Sequence, residues 1–334
     1  MTDSIKKLAP QILAEILKSK NILLHCHPSP DPDSVGSALA MKLAIEQLGK
    51  KATLIKGDSD ISKAFEFPNI DSIIKKNFFE IDLNEFDLFI ILDSGSTQMI
   101  SSKGEIILPN HLMTIVIDHH ASNIGYGKIN CIEKTYPATA QILFDLFNEM
   151  GIKINHDIAL NLFMGIYTDT GGFKYRNTSL ETFKTVTELV SIVPNFAKTL
   201  SIMENSNRKE SLVFEGIALS SMKTYFDGKL GIASVSYDEI TKNNILDEDI
   251  STGYISNKIK SIIGINMAIT LIEDKPNHIK ISFRASDNGN YDVSKIAVVL
   301  GGGGHISAAG AKLNMTINKA IDKVVKTAKE IYNF

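Results

Sequence analysis

Three short runs with almost no polar interruption, ILLH at 22–25, LFIIL at 88–92 and TIVI at 114–117, limit most strongly how this chain can fold. A strand with water on one face alternates apolar and polar residues, whereas an unbroken run must be covered on both faces, as in a parallel sheet. Helical spacing fills the intervals. QILAEILK at 11–18 reads as a helix, and Ser37 to Leu48 reads as another that stops at Gly49 with Lys50 and Lys51 behind it. Segments 138–150, 156–168 and 179–191 are also helical in pattern. Alternating strands and helices predict an α/β domain over residues 1–190.

The polar stretch that follows, with ENSNRKES at 204–211, reads as a connector over 191–211. Beyond it, 229–236, 266–273 and 278–284 read as strands, 292–300 as a helix, and 301–304 is a run of glycines. A second, smaller α/β domain over 212–334 is therefore expected.

Composition excludes several function classes. A formal charge of −3 over 334 residues argues against a broad cationic surface for long nucleic acid. Cys26 and Cys131 are far apart with no CxxC pattern, so neither a disulfide framework nor a zinc knuckle is indicated. The N-terminus lacks the apolar segment of a signal peptide and no run has the length of a membrane helix, so the expected location is the cytoplasm, with no membrane partner.

The residues with chemical potential gather after the apolar runs. HPSPDPD places His27, Asp31 and Asp33 just past the first strand, and prolines 28, 30 and 32 predict a stiff extended loop whose two aspartates point to different sides. Asp93 follows LFIIL, and Asp118, His119 and His120 follow TIVI. The carboxyl ends of parallel strands are where open α/β sheets bind ligands. A fourth carboxylate, Asp169, ends an apolar helix before Gly171 and Gly172. Any one of these acids alone reads as a turn or a helix cap; several at corresponding strand ends read as a site. Oxygen and imidazole donors without thiolate suit manganese, with magnesium as the alternative, better than structural zinc. Asp31, Asp33, Asp93 and Asp169 would balance the charge of two divalent ions, and a paired centre of that kind serves phosphate ester hydrolysis.

These motifs, HxxPDxD, a strand-end Asp, DHH and a later Asp, occur in an order that resembles the DHH phosphoesterases. GGGGHISAAG at 301–310, preceded by SFR at 282–284, is similar to the DHH-associated C-terminal domain of the nanoRNase and phosphoadenosine-phosphatase branch. The resemblance implies one ion on His27, Asp31, Asp93 and Asp169 and another on Asp33, Asp93, His119 and Asp169. It further implies that His120 contacts the substrate phosphate and that Asp118 orients the histidine pair. Gly301, Gly302, Gly303, Gly304, His305 and Arg284 are implied to bind substrate.

Of the three arginines, Arg284 is the strongest candidate for a phosphate contact, while Arg176 and Arg208 read equally well as surface residues. Lys174 stands where relatives often carry arginine. The implied activity is removal of mononucleotides from short oligoribonucleotides, together with dephosphorylation of phosphoadenosine phosphate. Hydrolysis of cyclic or linear dinucleotides is the alternative, and a non-catalytic nucleotide sensor is the reading from another class. Oligomeric state stays open, with a homodimer compatible.

Overall fold

The computed structural model describes residues 1–61, 67–286 and 291–334. The chain forms two compact units, Met1–Asn205 and Ser206–Phe334. Among the described residues no helix is long and apolar enough to cross a membrane.

The first unit runs α1 (Asp3–Lys18), β1 (Ile22–His25), α2 (Pro32–Gln47), β2 (Ala52–Ile55), β3 (Leu88–Leu92), β4 (Met113–Asp118), β5 (Ile129–Ile132), α3 (Thr139–Glu149), α4 (His156–Asp169), α5 (Leu180–Ile192) and α6 (Phe196–Glu204). Its five strands lie in the order β2-β1-β3-β4-β5, all parallel. The expectation of a doubly covered parallel sheet holds, and the two covers differ in kind. Helices pack on Leu24, Ile90, Ile115 and Ile117 of one face. On the other face, Leu23, Phe89, Ile91 and Val116 are sealed by Phe78, Phe86, Ile100 and Leu112 from the long irregular segment around β3. The chain leaves β1 toward β2 on one side and returns to β3 on the other, so the carboxyl ends of β1 and β3 flank the switch in direction where such sheets bind ligands.

HPSPDPD is not an extended loop throughout. Pro32 opens α2, and Asp31 is its N-cap, accepting from the Ser34 N–H at 3.0 Å. A proline in the first turn lacks only an N–H that the helix would leave unpaired anyway, so it starts a helix as readily as it interrupts one. The true start five residues before Ser37 escapes the periodicity because α2 is buried almost all round, from Val35 and Ala38 to Met41 and Ala44, and a helix covered on every side has no polar stripe. Asp33 consequently sits in the first turn of a buried helix.

Within the polar stretch read as a connector, α6 packs Phe196, Leu200 and Met203 against the core of the first unit. Arg208 lies near the start of the second unit and engages three carboxylates there: Glu248 at 2.6 Å, Asp249 at 3.4 Å and Glu210 at 3.5 Å. Its fork is thereby committed to anchoring the start of that unit.

The second unit contains α7 (Lys209–Ser220), β6 (Lys223–Tyr225), β7 (Leu230–Val235), α8 (Tyr237–Lys242), α9 (Thr252–Lys260), β8 (Met267–Lys275), β9 (His278–Ala285), α10 (Val293–Val299), β10 (Gly303–His305), β11 (Ala308–Asn314) and α11 (Ile317–Tyr332). Its six-stranded sheet has the order β10-β11-β9-β8-β7-β6 and is mixed, with β7 and β8 parallel and the other pairs antiparallel. Ile269, Leu271, Ile281 and Phe283 face α10 and α11, whereas Ala233, Val235, Ala268 and Ile272 face α7, α8 and α9.

The glycine run is half of a tight hairpin rather than an open loop. A Cβ on Gly302 would lie 2.0 Å from the Gly310 carbonyl oxygen, and one on Gly304 would lie 2.5 Å from Ala309 Cα. At these two positions only a residue without a side chain allows so close an approach to β11.

Candidate metal centre

The segments that follow β1, β3 and β4, with the starts of α2 and α3 and the end of α4, bring polar groups together at the carboxyl edge of the first unit's sheet. His27 stands two residues past β1, its N–H bound to Ser34 Oγ at 2.9 Å. Gly57, just beyond β2, packs directly on it: a Cβ there would lie 1.9 Å from the His27 carbonyl oxygen. His27 Nε2 lies 3.2 Å from Asp31 Oδ2 and 3.7 Å from Asp93 Oδ2. Asp93, directly after β3, has a left-handed backbone, φ +50°, and its buried carboxylate accepts from Thr139 Oγ1 at 3.2 Å. His119, following β4, places Nε2 3.4 Å from Asp93 Oδ1, 3.3 Å from Asp169 Oδ2 and 4.0 Å from Asp33 Oδ2.

Asp33 is fully buried, and its two oxygens accept from the first two backbone N–H groups of α3, Thr139 at 2.7 Å and Ala140 at 2.9 Å. Those donors have no partner within their own helix, and the positive end of the helix dipole favours a carboxylate there. Asp169 ends α4, where Gly171, Gly172 and Phe173 reverse the chain at φ values of +58°, +66° and +64°. The two glycines adopt these angles without the strain that a side chain adds. Asn177 steadies this corner by donating to the Asp169 carbonyl at 3.0 Å and toward the Pro137 carbonyl at 3.4 Å.

Among the described residues the outcome is three overlapping groups, His27–Asp31–Asp93, Asp33–His119–Asp169 and Asp93–His119–His120, whose ligand atoms within each group lie within 4.8 Å of one another. Without a cation so many buried acids repel. Burial, with Asp93 beside it, pushes Asp33 up to about 7. Burial and the charges of Asp33, Asp93 and Asp31 push Asp169 up to about 9. Burial alone would lower His119, but the hydrogen bond to Asp93 and the surrounding carboxylates outweigh it and raise the imidazole to about 10. His27 moves up for the same reason, with Asp31 the main partner against burial. Converging carboxylate and imidazole atoms that hold protons for want of positive charge fit divalent cations.

Asp118 stands behind this cluster. Fully buried, it accepts from His120 Nδ1 at 2.7 Å on one oxygen and from Asn123 Nδ2 at 2.7 Å on the other. The His120 ring is partly exposed and lies 4.6 Å from that of His119, centroid to centroid. Lys174 and Arg176 lie on the surface just past Asp169.

The other residues expected to meet substrate belong to the second unit. Arg284 on β9 pairs with Ala308 on β11, which pairs with His305 on β10, so all three share one level and one face of the sheet. Arg284 Nη1 donates to the Phe283 carbonyl at 3.0 Å, and Nη2 lies so near Gly253 on α9 that a Cβ there would be 2.9 Å from it. Gly301 through Gly304 and His305 are exposed. Ala308, between Arg284 and His305, and Gly303 and Gly310, one step along the same face, are all small.

Sequence reasoning missed Asn123, Thr139, Ala140 and Asn177. Thr139 and Ala140 act through backbone N–H groups, to which residue identity gives no clue.

Two family models match the chain: the DHH family N-terminal domain over residues 21–166 and the DHHA1 domain over 233–333. The first ends just short of Asp169, whose place beside His119 comes from the fold. The bifunctional oligoribonuclease and PAP phosphatase NrnA of Thermus thermophilus is 26% identical over 326 residues, covering 96% of this chain and 93% of that protein. The protein of the same name from Bacillus subtilis is 24% identical over 311 residues, 91% of this chain and 92% of its own. A crystal structure of an exopolyphosphatase-related protein from Bacteroides fragilis shares the fold, with a TM-score of 0.88 and 23% identity over 98% of both chains. With a DHH domain followed by a DHHA1 domain, and with acids and histidines gathered at the strand ends of the first, this chain belongs to the DHH family of phosphoesterases.

Proposed function

We propose that the protein is a two-metal, manganese-dependent hydrolase that releases mononucleotides from short oligoribonucleotides and also dephosphorylates phosphoadenosine phosphate. The observation that carries the reading is the overlap of the three ligand groups through Asp93 and His119, which suits two neighbouring ions better than one. His27, Asp31, Asp93 and Asp169 would hold one ion; Asp33, Asp93, His119 and Asp169 would hold the other. Bound there, the ions would supply a nucleophilic hydroxide at neutral pH and charge stabilisation for both the attacking and the leaving oxygen. The protein's own part is positioning. The α3 N-terminus fixes Asp33, Thr139 fixes Asp93, and Asp118 holds His120 through Nδ1, which leaves Nε2 for a phosphate oxygen. The relatives named as oligoribonuclease and PAP phosphatase support the choice of substrates. The test is a panel of short RNAs, phosphoadenosine phosphate, and cyclic and linear dinucleotides, each with and without manganese. Turnover confined to the dinucleotides would replace this reading with the alternative, and binding of nucleotide with no turnover on any member would leave a sensor.

Because cations bind the native state and relieve its buried repulsion, saturating manganese should raise Tm in a metal-dependent, chelator-reversible way. Thermal melts before and after chelation measure this, and an unchanged Tm counts against a preformed centre.

Losing a charge-assisted contact to a remote phosphate should cost about 1.5–3 kcal/mol, roughly tenfold to a hundredfold in kcat/KM on a short RNA. Arg284→Ala is expected to show this loss while barely affecting a minimal chromogenic phosphodiester. Gly303→Ala is a companion variant: its φ is not positive and a Cβ placed there would meet no atom within 4 Å, so the hairpin should tolerate it. A drop in kcat/KM without a drop in Tm then reports on substrate. Equal losses on both substrates would assign these residues to the chemistry or the fold.

A further inference from the structure

Asn123 is buried to 1% exposure, yet neither the ions nor a substrate would need an amide where it stands. All of its polar capacity faces inward. Nδ2 donates to Asp118 Oδ2 at 2.7 Å and toward the Ser94 carbonyl at 3.3 Å, while Oδ1 accepts from the Gly125 N–H at 2.8 Å. One neutral side chain therefore ties the carboxylate behind His120 to the residue that follows Asp93.

The geometry gives this link a specific consequence. His120 Nδ1 has two carboxylates within reach, Asp118 Oδ1 at 2.7 Å and Asp93 Oδ1 at 3.8 Å. A carboxylate turns easily about its last torsion, so a single partner does not define its plane. With Asn123 on one oxygen and His120 on the other, the plane of Asp118 is fixed and with it the direction of the ring. Without Asn123, Asp118 can rotate, and Asp93 competes for the same N–H. Tyr126 offers an internal comparison, because its hydroxyl donates to the same Ser94 carbonyl at 2.8 Å but does not bond Asp118 in the same way.

We propose that Asn123 is a positioning residue for His120, acting through Asp118 and setting the ring's aim toward the substrate phosphate. The proposal rests on the phosphate-contacting role given to His120 above. Asn123→Ala should lower kcat roughly tenfold to a hundredfold, the range for groups that orient a site residue, with little change in KM. Metal content per chain should be unchanged.

A double-mutant cycle with His120→Ala tests the route. Once the ring is gone its aim no longer matters, so Asn123→Ala in that background should cost less than about twofold. Tyr126→Phe should stay within about threefold of the parent, since it spares the bond to Asp118. Asn123→Ser covers the case in which the alanine variant fails to fold: its hydroxyl can still accept from the Gly125 N–H and keep the turn, but it is too short to replace the bond that Nδ2 makes to Asp118. It should behave as the alanine variant does in the same cycle. Full additivity of Asn123 and His120 losses, or lost metal in the Asn123 variants, would overturn the proposal while leaving the role of His120 intact. A costless His120→Ala would instead overturn the role of His120, and the proposal with it.

Discussion

Asp93→Asn is expected to reduce nucleotide release by about a thousandfold or more, close to 4 kcal/mol of transition-state stabilisation, while the protein stays folded. The carboxylate lies against His27 on one oxygen and His119 on the other, so it belongs to two of the three ligand groups, and an amide supplies only one oxygen and no charge. Asparagine is the informative replacement because the backbone at this position is left-handed, at φ +50°. Asparagine accepts that conformation readily, whereas alanine would add backbone strain to the loss of a ligand and blur the result. Turnover assays set beside circular dichroism and melting curves separate the two effects. A folded Asp93→Asn protein with activity within tenfold of the parent would remove Asp93 from the centre.

Asp169→Asn should abolish turnover on a similar scale and also make the metal-free protein more stable. The carboxyl is raised to about 9 by burial and by Asp33, Asp93 and Asp31, against an ordinary value near 3.8. An acid with a raised folded value favours the native state least where the unfolded chain would ionise it freely. Its contribution therefore becomes more unfavourable as pH rises from about 4 to about 9. His119 acts in the same direction, because an imidazole raised to about 10 contributes stability that is present below about 6.5 and lost as pH rises through 10. Chelated wild-type protein should thus lose Tm between pH 6.5 and 10. At pH 8 the asparagine variant should melt higher by about 2 kcal/mol, roughly 4–8 °C for a unit of this size, and with a flatter pH profile. Manganese should reverse the ranking by stabilising the parent more. If the chelated variant melts below the parent across this range, the carboxylates are not in mutual repulsion.

The legible part of the fold is the part whose signal is local. LFIIL and TIVI are strands because nothing polar interrupts them, and their ends put Asp93 and the DHH triplet on one edge of the sheet. Less visible are elements that exist only through their neighbours. β5, with INCI, is a short edge strand, and β10 with β11 is a hairpin of glycine and alanine that has almost no intrinsic strand preference. The start of α2 is obscured because Pro32 signals rigidity in the sequence, while its use at the first helical position shows only in the fold. In the site, aspartates and histidines draw notice because they are costly to bury. Asn123 and Asn177 do not, since asparagine is common in turns and only the fold shows that one bonds Asp118 and the other the Asp169 carbonyl.

His27, Asp31, Asp33, Asp93, His119 and Asp169 all come from the unit Met1–Asn205, while the glycine hairpin, Arg284 and His305 come from Ser206–Phe334. Heredity can therefore act on the two separately. Under the division of roles proposed above, a change in the hairpin replaces none of the residues at the strand ends, so a descendant gene can drift toward a new substrate through intermediates that keep the same acids and histidines. A change among the acids has no such gradual route, because each serves a neighbour as well as itself. Diversity among descendants of such a chain should accumulate in the second stretch, and recombination near residue 205 is the exchange most apt to yield a working enzyme with a new preference.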